Sequence, residues 1–328
     1  MSSVMMTVVY ALLPGIVVYA WLFGWGVVVN LALTVITAVV TEAVMLKLRQ
    51  KPLAMFLGDG SVVVTALLLG LALPPLTPWW IPVLGTAFAV VFAKHIYGGL
   101  GYNPFNPAMV GYVMLLISFP RELTAWAAPA AEHGLGLGQS LGVVFLGQLP
   151  GAMTLDALTA ATPLDYLKTQ LGLDHRVGEI IAGAPERFGM LAGQSWEWIN
   201  LAFLAGGLWL IYRRIISWHV PVGVLGGLAG MSLIFFIIDP NTYASPVFHV
   251  FSGGAVLGAF FIATDPVSGA TTVRGRLLFG VGVGVLTFII RNWGGYPDAI
   301  AFAVLLMNMA APTIDYYTQP RVFGHGKK

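Results

Sequence analysis

Long apolar runs separated by short polar breaks fill the first third of the chain and return in the last third, with a stretch of mixed polarity between them. The first set falls at approximately 5–22, 25–46, 60–74, 79–96 and 106–119, and the second at approximately 196–212, 218–238, 247–264, 276–291 and 297–312. A helix needs about 20 apolar residues to cross a bilayer, and fewer where neighbours cover its ends. The pattern therefore predicts an all-α polytopic membrane protein with about ten transmembrane helices. Residues 1–120 are expected to form a first membrane repeat and 196–328 a second, with 121–195 a hydrophilic segment outside the bilayer.

The two sets resemble each other. DGSVVVTALLLGLAL (59–73) lies five spans before SGGAVLGAFFIATDP (252–266), and each is followed by a helix ending in a glycine pair, Gly98-Gly99 or Gly294-Gly295. An odd offset of five spans makes such a repeat inverted, so the expectation is two inverted five-helix repeats with sites between the halves, at helices broken by Gly or Pro.

Composition agrees with this class. Hydrophobic residues make up 58% and charged residues only 9%, against roughly 25% charged in soluble domains. The chain has no cysteine, which excludes disulfides, Cys-ligated zinc and an iron–sulfur cluster held within it. The lipid bilayer is the expected partner surface, and no nucleic acid is expected. Lys47, Arg49, Lys51, Arg213, Arg214 and Arg274 fall in loops on one side under this model, whereas the short loops of the other side hold only Arg291. By the positive-inside rule both termini are cytoplasmic and 121–195 is extracytoplasmic. Lys94 is expected to snorkel to the cytoplasmic surface. Glu42 and Asp239 suggest ion or proton paths, with interfacial placement as the other reading, and Trp79, Trp80, Trp196 and Trp198 are read as an aromatic belt.

Three short stretches carry candidate chemistry. KHIYGGLGYNPFNPAMVG (94–111) combines Gly98, Gly99 and Gly101, which permit positive φ, with Pro104 and Pro107, which forbid a continuous helix. Lipid cannot satisfy such a backbone, so the run must be buried in protein, line a cavity or hold a ligand. Ser268-Gly269-Ala270-Thr271 and Asp156-Ala157-Leu158-Thr159-Ala160-Ala161-Thr162 each present a threonine hydroxyl among small residues.

GDGSVVVTALLLGLALPP (58–75), KHIYGGLGYNPFNPAMVGY (94–112) and ATDPVSGATTVRGR (263–276), in that order, resemble the D subunits of bacterial Rnf electron-transport complexes. Those proteins are homologous to the B subunit of the sodium-pumping NADH:quinone oxidoreductase. The resemblance implies a place in the bacterial inner membrane, within a six-subunit complex that includes an FMN-bearing G subunit and iron–sulfur subunits. Such a complex couples electron transfer, on the NAD(H) or ferredoxin side, to Na⁺ or H⁺ translocation. No catalysis is expected from the isolated chain.

The resemblance also implies an FMN joined to a threonine by a phosphoester, installed by a flavin transferase working outside the cytoplasmic membrane. The family pattern Asp-x-x-Ser/Thr-x-Ala-Thr maps onto Asp156, Thr159, Ala161 and the acceptor Thr162, although the preferred Gly is replaced by Ala160. Thr271 is the rival hydroxyl, and loop charges put it on the cytoplasmic side, out of the transferase's reach. A second, non-covalent flavin (riboflavin) or an inter-subunit contact is expected around Gly98, Gly99, Gly101, Asn103, Asn106, Asp265, Thr271 and Arg274. Two other readings remain: the B subunit of the sodium pump, and a transporter with the same repeat and no redox role.

Overall fold

The computed structural model describes residues 2–129, 135–149, 154, 158–296 and 298–319. Asp156 lies outside the described residues. Those described are helical, with isolated bridges at Ala127/Thr159 and Phe188/Gly193 in place of strands. Five helices are long and apolar enough to cross a membrane: Ser2–Phe23, Trp25–Leu48, His219–Ile238, Val273–Trp293 and Ile300–Thr318. Shorter apolar helices, among them Ser61–Ala72 and Pro107–Ser118, pack beside them.

Local sequence explains where several helices begin. Asn106, Thr162 and Ser245 each accept a hydrogen bond from the backbone N–H three residues on, and each is followed by proline at the first helical position. The cap satisfies a donor the helix cannot, and proline sits where its missing N–H costs nothing.

Packing relates the two sets of helices. Ser2–Phe23 runs against Trp196–Tyr212, with Ala11 meeting Gly206, Gly15 meeting Phe203 and Phe23 stacking edge-on against Trp196. Position rises on one helix as it falls on the other, so these two helices, the first of each set, are antiparallel. Pro107–Ser118 and Ile300–Thr318, the last of each set, also meet: the Asn106 N–H donates to Asn308 Oδ1 at 3.1 Å, and Leu115 and Leu116 share an apolar cluster with Phe302. Apolar burial drives little association in lipid, where close backbone approach counts instead. His219–Ile238 and Val273–Trp293 achieve it through Gly223 and Gly227 against Gly280 and Gly284, positions where an added Cβ would meet the facing backbone.

The span expected at 247–264 is not one helix. It consists of Pro246–Phe251, a break, Ala255–Leu257 and a π-helical turn Gly258–Ile262. Gly253 takes φ +59°, the Gly254 N–H donates to Asp298 Oδ2 at 2.6 Å, and Asn200 Nδ2 donates to the carbonyls of Phe251 and Gly253. Side chains from a neighbouring helix and from the loop before Ile300–Thr318 replace the lost ladder bonds, which is what lets a break survive among apolar helices.

The middle segment docks on the second set. Leu164, Leu167, Val177 and Ile180 form a small core with Ala244 and Phe248. Lys168 Nζ donates to the carbonyls of Arg291, Gly294 and Tyr296 at 2.9, 2.6 and 3.2 Å, capping the end of Val273–Trp293. Arg291, expected in an outer loop, is instead buried and donates to the carbonyls of His249 and Ser252 and to Asp298 Oδ1.

Candidate functional site

Residues 158–160 pair with 126–128: the Ala128 N–H donates to Leu158 O at 2.9 Å and the Ala160 N–H to Trp126 O at 2.8 Å. Thr159 sits within this pairing, opposite Ala127. The strand-like clip delivers Ala161 and Thr162 to the start of the helix Pro163–Leu171, where Thr162 Oγ1 accepts from the Asp165 N–H at 3.2 Å.

Thr162 lines two cavities. One is a groove of about 800 Å³ also lined by Trp21, Trp126, Ala161, Arg187 and Trp196. The other is smaller, about 90 Å³, and reaches between the two helix sets, past Tyr19, Tyr112, Asn200 and Asp298. Trp196 is thus not only a belt residue: its ring meets Trp126 edge-on at 5.0 Å and closes on Tyr19 and Phe23. The Tyr19 hydroxyl is buried and has no hydrogen-bond partner among the described residues.

The electrostatics of this end favour an anion at the hydroxyl. Helix N-termini carry partial positive charge and unused N–H groups. Arg187 adds a cation, its guanidinium over the Tyr166 ring at 4.8 Å and its Nη1 donating to Ala161 O at 3.5 Å, with Glu186, also in the groove, 3.8 Å from its Nε. Asp165 opposes this, but burial raises its carboxyl above the usual range, with Lys168 pulling the other way.

The opposite end holds the second motif. Val4, Met5 and Val8, at the start of the helix whose far end reaches the Thr162 groove, line a cavity of about 130 Å³ with Lys94, Asn103, Asn106, Thr264 and Asp265. At 22 residues that helix is about 33 Å long, so the two motifs lie a bilayer's thickness apart. Asn308 joins the stretches seen in sequence: it accepts from Asn106 N and donates to Ser268 O at 3.0 Å. Ser268 donates to Asp265 Oδ2 at 2.8 Å.

Gly98, Gly99 and Gly101 all have positive φ, +126°, +102° and +92°, conformations that side chains rarely adopt. Arg49 holds their turn, its Nη2 donating to Gly98 O at 3.0 Å. Thr271 and Arg274 do not line the cavity. Thr271 donates both its N–H and its hydroxyl to Asp315, the hydroxyl at 2.8 Å, while Thr272 caps Val273–Trp293. Arg274 is exposed. The SGAT stretch thus leads into the cap at Thr272, with Thr271 tied to Asp315.

Sequence reasoning missed a buried ion cluster beside this cavity. Lys94 does not snorkel: it is 2% exposed, and its Nζ lies 2.8 Å from Glu42 Oε1 and 3.1 Å from Ser61 Oγ. His95 Nε2 is 2.9 Å from Glu42 Oε2, and its Nδ1 is 3.2 Å from Arg49 Nη1. Because arginine only donates, Nδ1 accepts and Nε2–H donates to Glu42, which sets the tautomer. The signal was present: ionisable residues inside apolar runs seek partners within the bundle. Which partners they find is a matter of packing.

Comparison with known proteins gives the family. The family model described as "NQR2, RnfD, RnfE family" matches residues 1–324, and the chain belongs to that family. It is 56% identical over 326 residues to the D subunit of the ion-translocating oxidoreductase complex of Pseudomonas aeruginosa, covering 99% of this chain and 92% of that protein. The proteins of the same name from Alcanivorax borkumensis and Yersinia enterocolitica are 55% and 51% identical, over 99% and 98% of this chain and 93% and 94% of theirs.

Proposed function

We propose that this chain is the membrane-embedded D subunit of an Rnf-type ion-translocating oxidoreductase complex and carries electrons through an FMN esterified to Thr162. One observation carries the site: the Thr162 hydroxyl stands at a helix N-terminus, at the mouth of an aromatic groove containing Arg187. The groove's volume of about 800 Å³ is within the common range for small-molecule sites, roughly 300–1,000 Å³. A threonine hydroxyl is a weak nucleophile without an activating base, so the esterification belongs to a separate flavin transferase. Bound FMN supplies reversible one- and two-electron chemistry. The chain's own residues would do the rest: Thr162 would anchor the group, the Leu164 N–H and Arg187 would be available to its phosphate, since Pro163 has no N–H and that of Asp165 serves the cap, and Trp126 and Trp196 would wall the groove.

At the opposite end, a second, non-covalent flavin would fall at the cavity lined by Asn103, Asn106, Asp265 and Lys94, whose volume of about 130 Å³ is below that range. The cavity has apolar walls and a few convergent polar groups, as such sites usually do. Of the glycine run, Leu100 lines it, whereas Gly98, Gly99 and Gly101 do not. Partner subunits bearing FMN and iron–sulfur centres would exchange electrons with both sites, in the bacterial inner membrane, with Na⁺ or H⁺ as the coupled ion. Antiparallel packing of the first helices and contact between the last helices support reading the two sets as inverted five-helix repeats. On that reading the Thr162 end is extracytoplasmic and both chain termini are cytoplasmic.

Mass spectrometry of a chymotryptic peptide containing Thr162, after co-expression with the flavin transferase, tests the reading. An added FMN less water on that residue is expected; an unmodified Thr162 with the flavin elsewhere overturns it.

A further inference from the structure

The segment expected outside the bilayer is not uniformly polar. Between Glu132 and Asp156 the chain has no Asp, Glu, Lys or Arg, and within that uncharged run lies the short apolar helix Leu137–Leu146. Such a helix is too short to cross a membrane, which takes about 20 residues. Ser140, Val143 and Val144 are buried, and the Trp79 N–H donates to Val144 O at 3.0 Å, so one side packs against the protein. A second side does not. Leu137, Leu141 and Phe145, four residues apart and therefore on one face, are 45%, 39% and 44% exposed. Gln139, two residues from both Leu137 and Leu141, stands off that face and is also exposed. The helix thus has a side against protein, an apolar free side and a polar free side.

Its position says what the apolar side meets. The helix packs on Trp25–Leu48, and its Ser140 borders a small cavity with Phe23, the last residue of the span before it. Spans end here. Trp25 and Trp79 at the same boundary are themselves exposed, as belt rings are, so the apolar side continues the lipid-facing surface of the spans. Side-chain size points the same way: helix–helix contacts within membranes favour small residues, and this face presents Leu, Leu and Phe.

We infer that Leu137–Leu146 is an interfacial anchor, lying in the leaflet at the Thr162 end with Leu137, Leu141 and Phe145 among lipid acyl chains and Gln139 toward water. Helices with one apolar and one polar face lie in the plane of that boundary. With no basic residue in the run, the anchor reads apolar depth rather than anionic headgroups. It also reaches the candidate flavin site. Leu135 and Ser140 border the same cavity as Ala127 and Leu158, which belong to the clip that delivers Thr162. The anchor thereby seats that clip at a fixed height on the bilayer, a consequence that rests on Thr162 as the flavin acceptor.

The test uses the assembled complex in its native membrane, with the photoreactive residue p-benzoylphenylalanine placed in turn at Leu141, Phe145 and Gln139. Irradiation should give phospholipid adducts, read by mass spectrometry of the peptide, at 141 and 145 and roughly tenfold fewer at 139, the side turned to water. A crosslink from 141 or 145 to another subunit, or no lipid adduct at either, would overturn the anchor; equal adducts at all three positions would overturn its orientation. The variant Leu141→Asn/Phe145→Asn tests the seating. At equal content of the chain in the membrane, covalent flavin per chain should fall several-fold, and a wild-type level would overturn that role. The crosslinks need no flavin, so the lipid adducts decide the anchor whether or not the wild-type chain carries flavin on Thr162, and failure of the acceptor reading is seen separately.

Discussion

Two threonines, each preceded by alanine, sit at opposite ends of one bundle, and their surroundings fit them for opposite tasks. Thr162 caps a helix, opens onto a groove and has Arg187 nearby. Thr271 is exposed, yet its hydroxyl and N–H are both given to the carboxylate of Asp315. A phosphate brought to Thr162 meets a helix N-terminus and a guanidinium, with Glu186 and Asp165 close by; one brought to Thr271 meets a carboxylate bonded directly to the hydroxyl. Access alone would favour Thr271. Charge favours Thr162, and electrostatics rather than exposure is the ground on which it is proposed as the acceptor.

The largest expected effect is all or none. Phosphoester-linked FMN survives denaturation, so Thr162→Ala should erase in-gel fluorescence of the chain, whereas Thr271→Ala should leave it at full strength. A fluorescent Thr162→Ala band would reverse the assignment of the two hydroxyls.

Topology comes next. In a chain without native cysteine, Gly138→Cys and Val273→Cys place one thiol on each end, both at exposed positions. Gly275 is unsuitable despite its place near Thr271, because it is buried and an added Cβ would meet the Thr272 hydroxyl. An impermeant thiol reagent on right-side-out vesicles should label position 138 and spare 273. The opposite result would give Thr271 to the outer face.

A graded effect follows at the capping end. Asp315→Ala removes the acceptor for the N–H groups of Thr271 and Thr272 and for the Thr271 hydroxyl. Loss of charged hydrogen bonds costs about 2 kcal/mol, measurable as a lower thermal midpoint in detergent, with covalent flavin unchanged. If the midpoint does not move, the Thr271 turn contributes nothing to the stability of this end.

The smallest effect is local. Gly101 has φ +92°, and an added Cβ would meet nothing within 4 Å, so Gly101→Ala isolates backbone strain from crowding. It should cost about 1 kcal/mol. Gly98→Val adds crowding against Tyr102 and should impair complex assembly more, in both cases without removing FMN from Thr162. Equal stability of both variants would mean that the turn adapts freely.

Much of the helical layout was readable in the runs themselves, because a residue's preference for lipid or water and a proline's lack of an N–H are local properties. The break at 252–254 was not, since it depends on Asn200, from another helix, and Asp298, from a loop, to satisfy the freed backbone. Likewise the glycine run announced an irregular turn, but Arg49, which holds it, is 49 residues away from Gly98.

By itself, the order of residues determined the class of protein, the caps at Asn106, Thr162 and Ser245, and the need for positive φ at Gly98, Gly99 and Gly101. Each follows from chemistry within a few residues. Only the tertiary structure decided that Lys94 lies buried against Glu42, that Asn308 bridges Asn106 and Ser268, and that Asp315 occupies Thr271 while Arg187 stands by Thr162. Those pairings join positions from 25 to more than 200 residues apart along the chain. Hydrogen bonds and charge pairs act over a few ångströms, so which partners meet is fixed by how the helices pack.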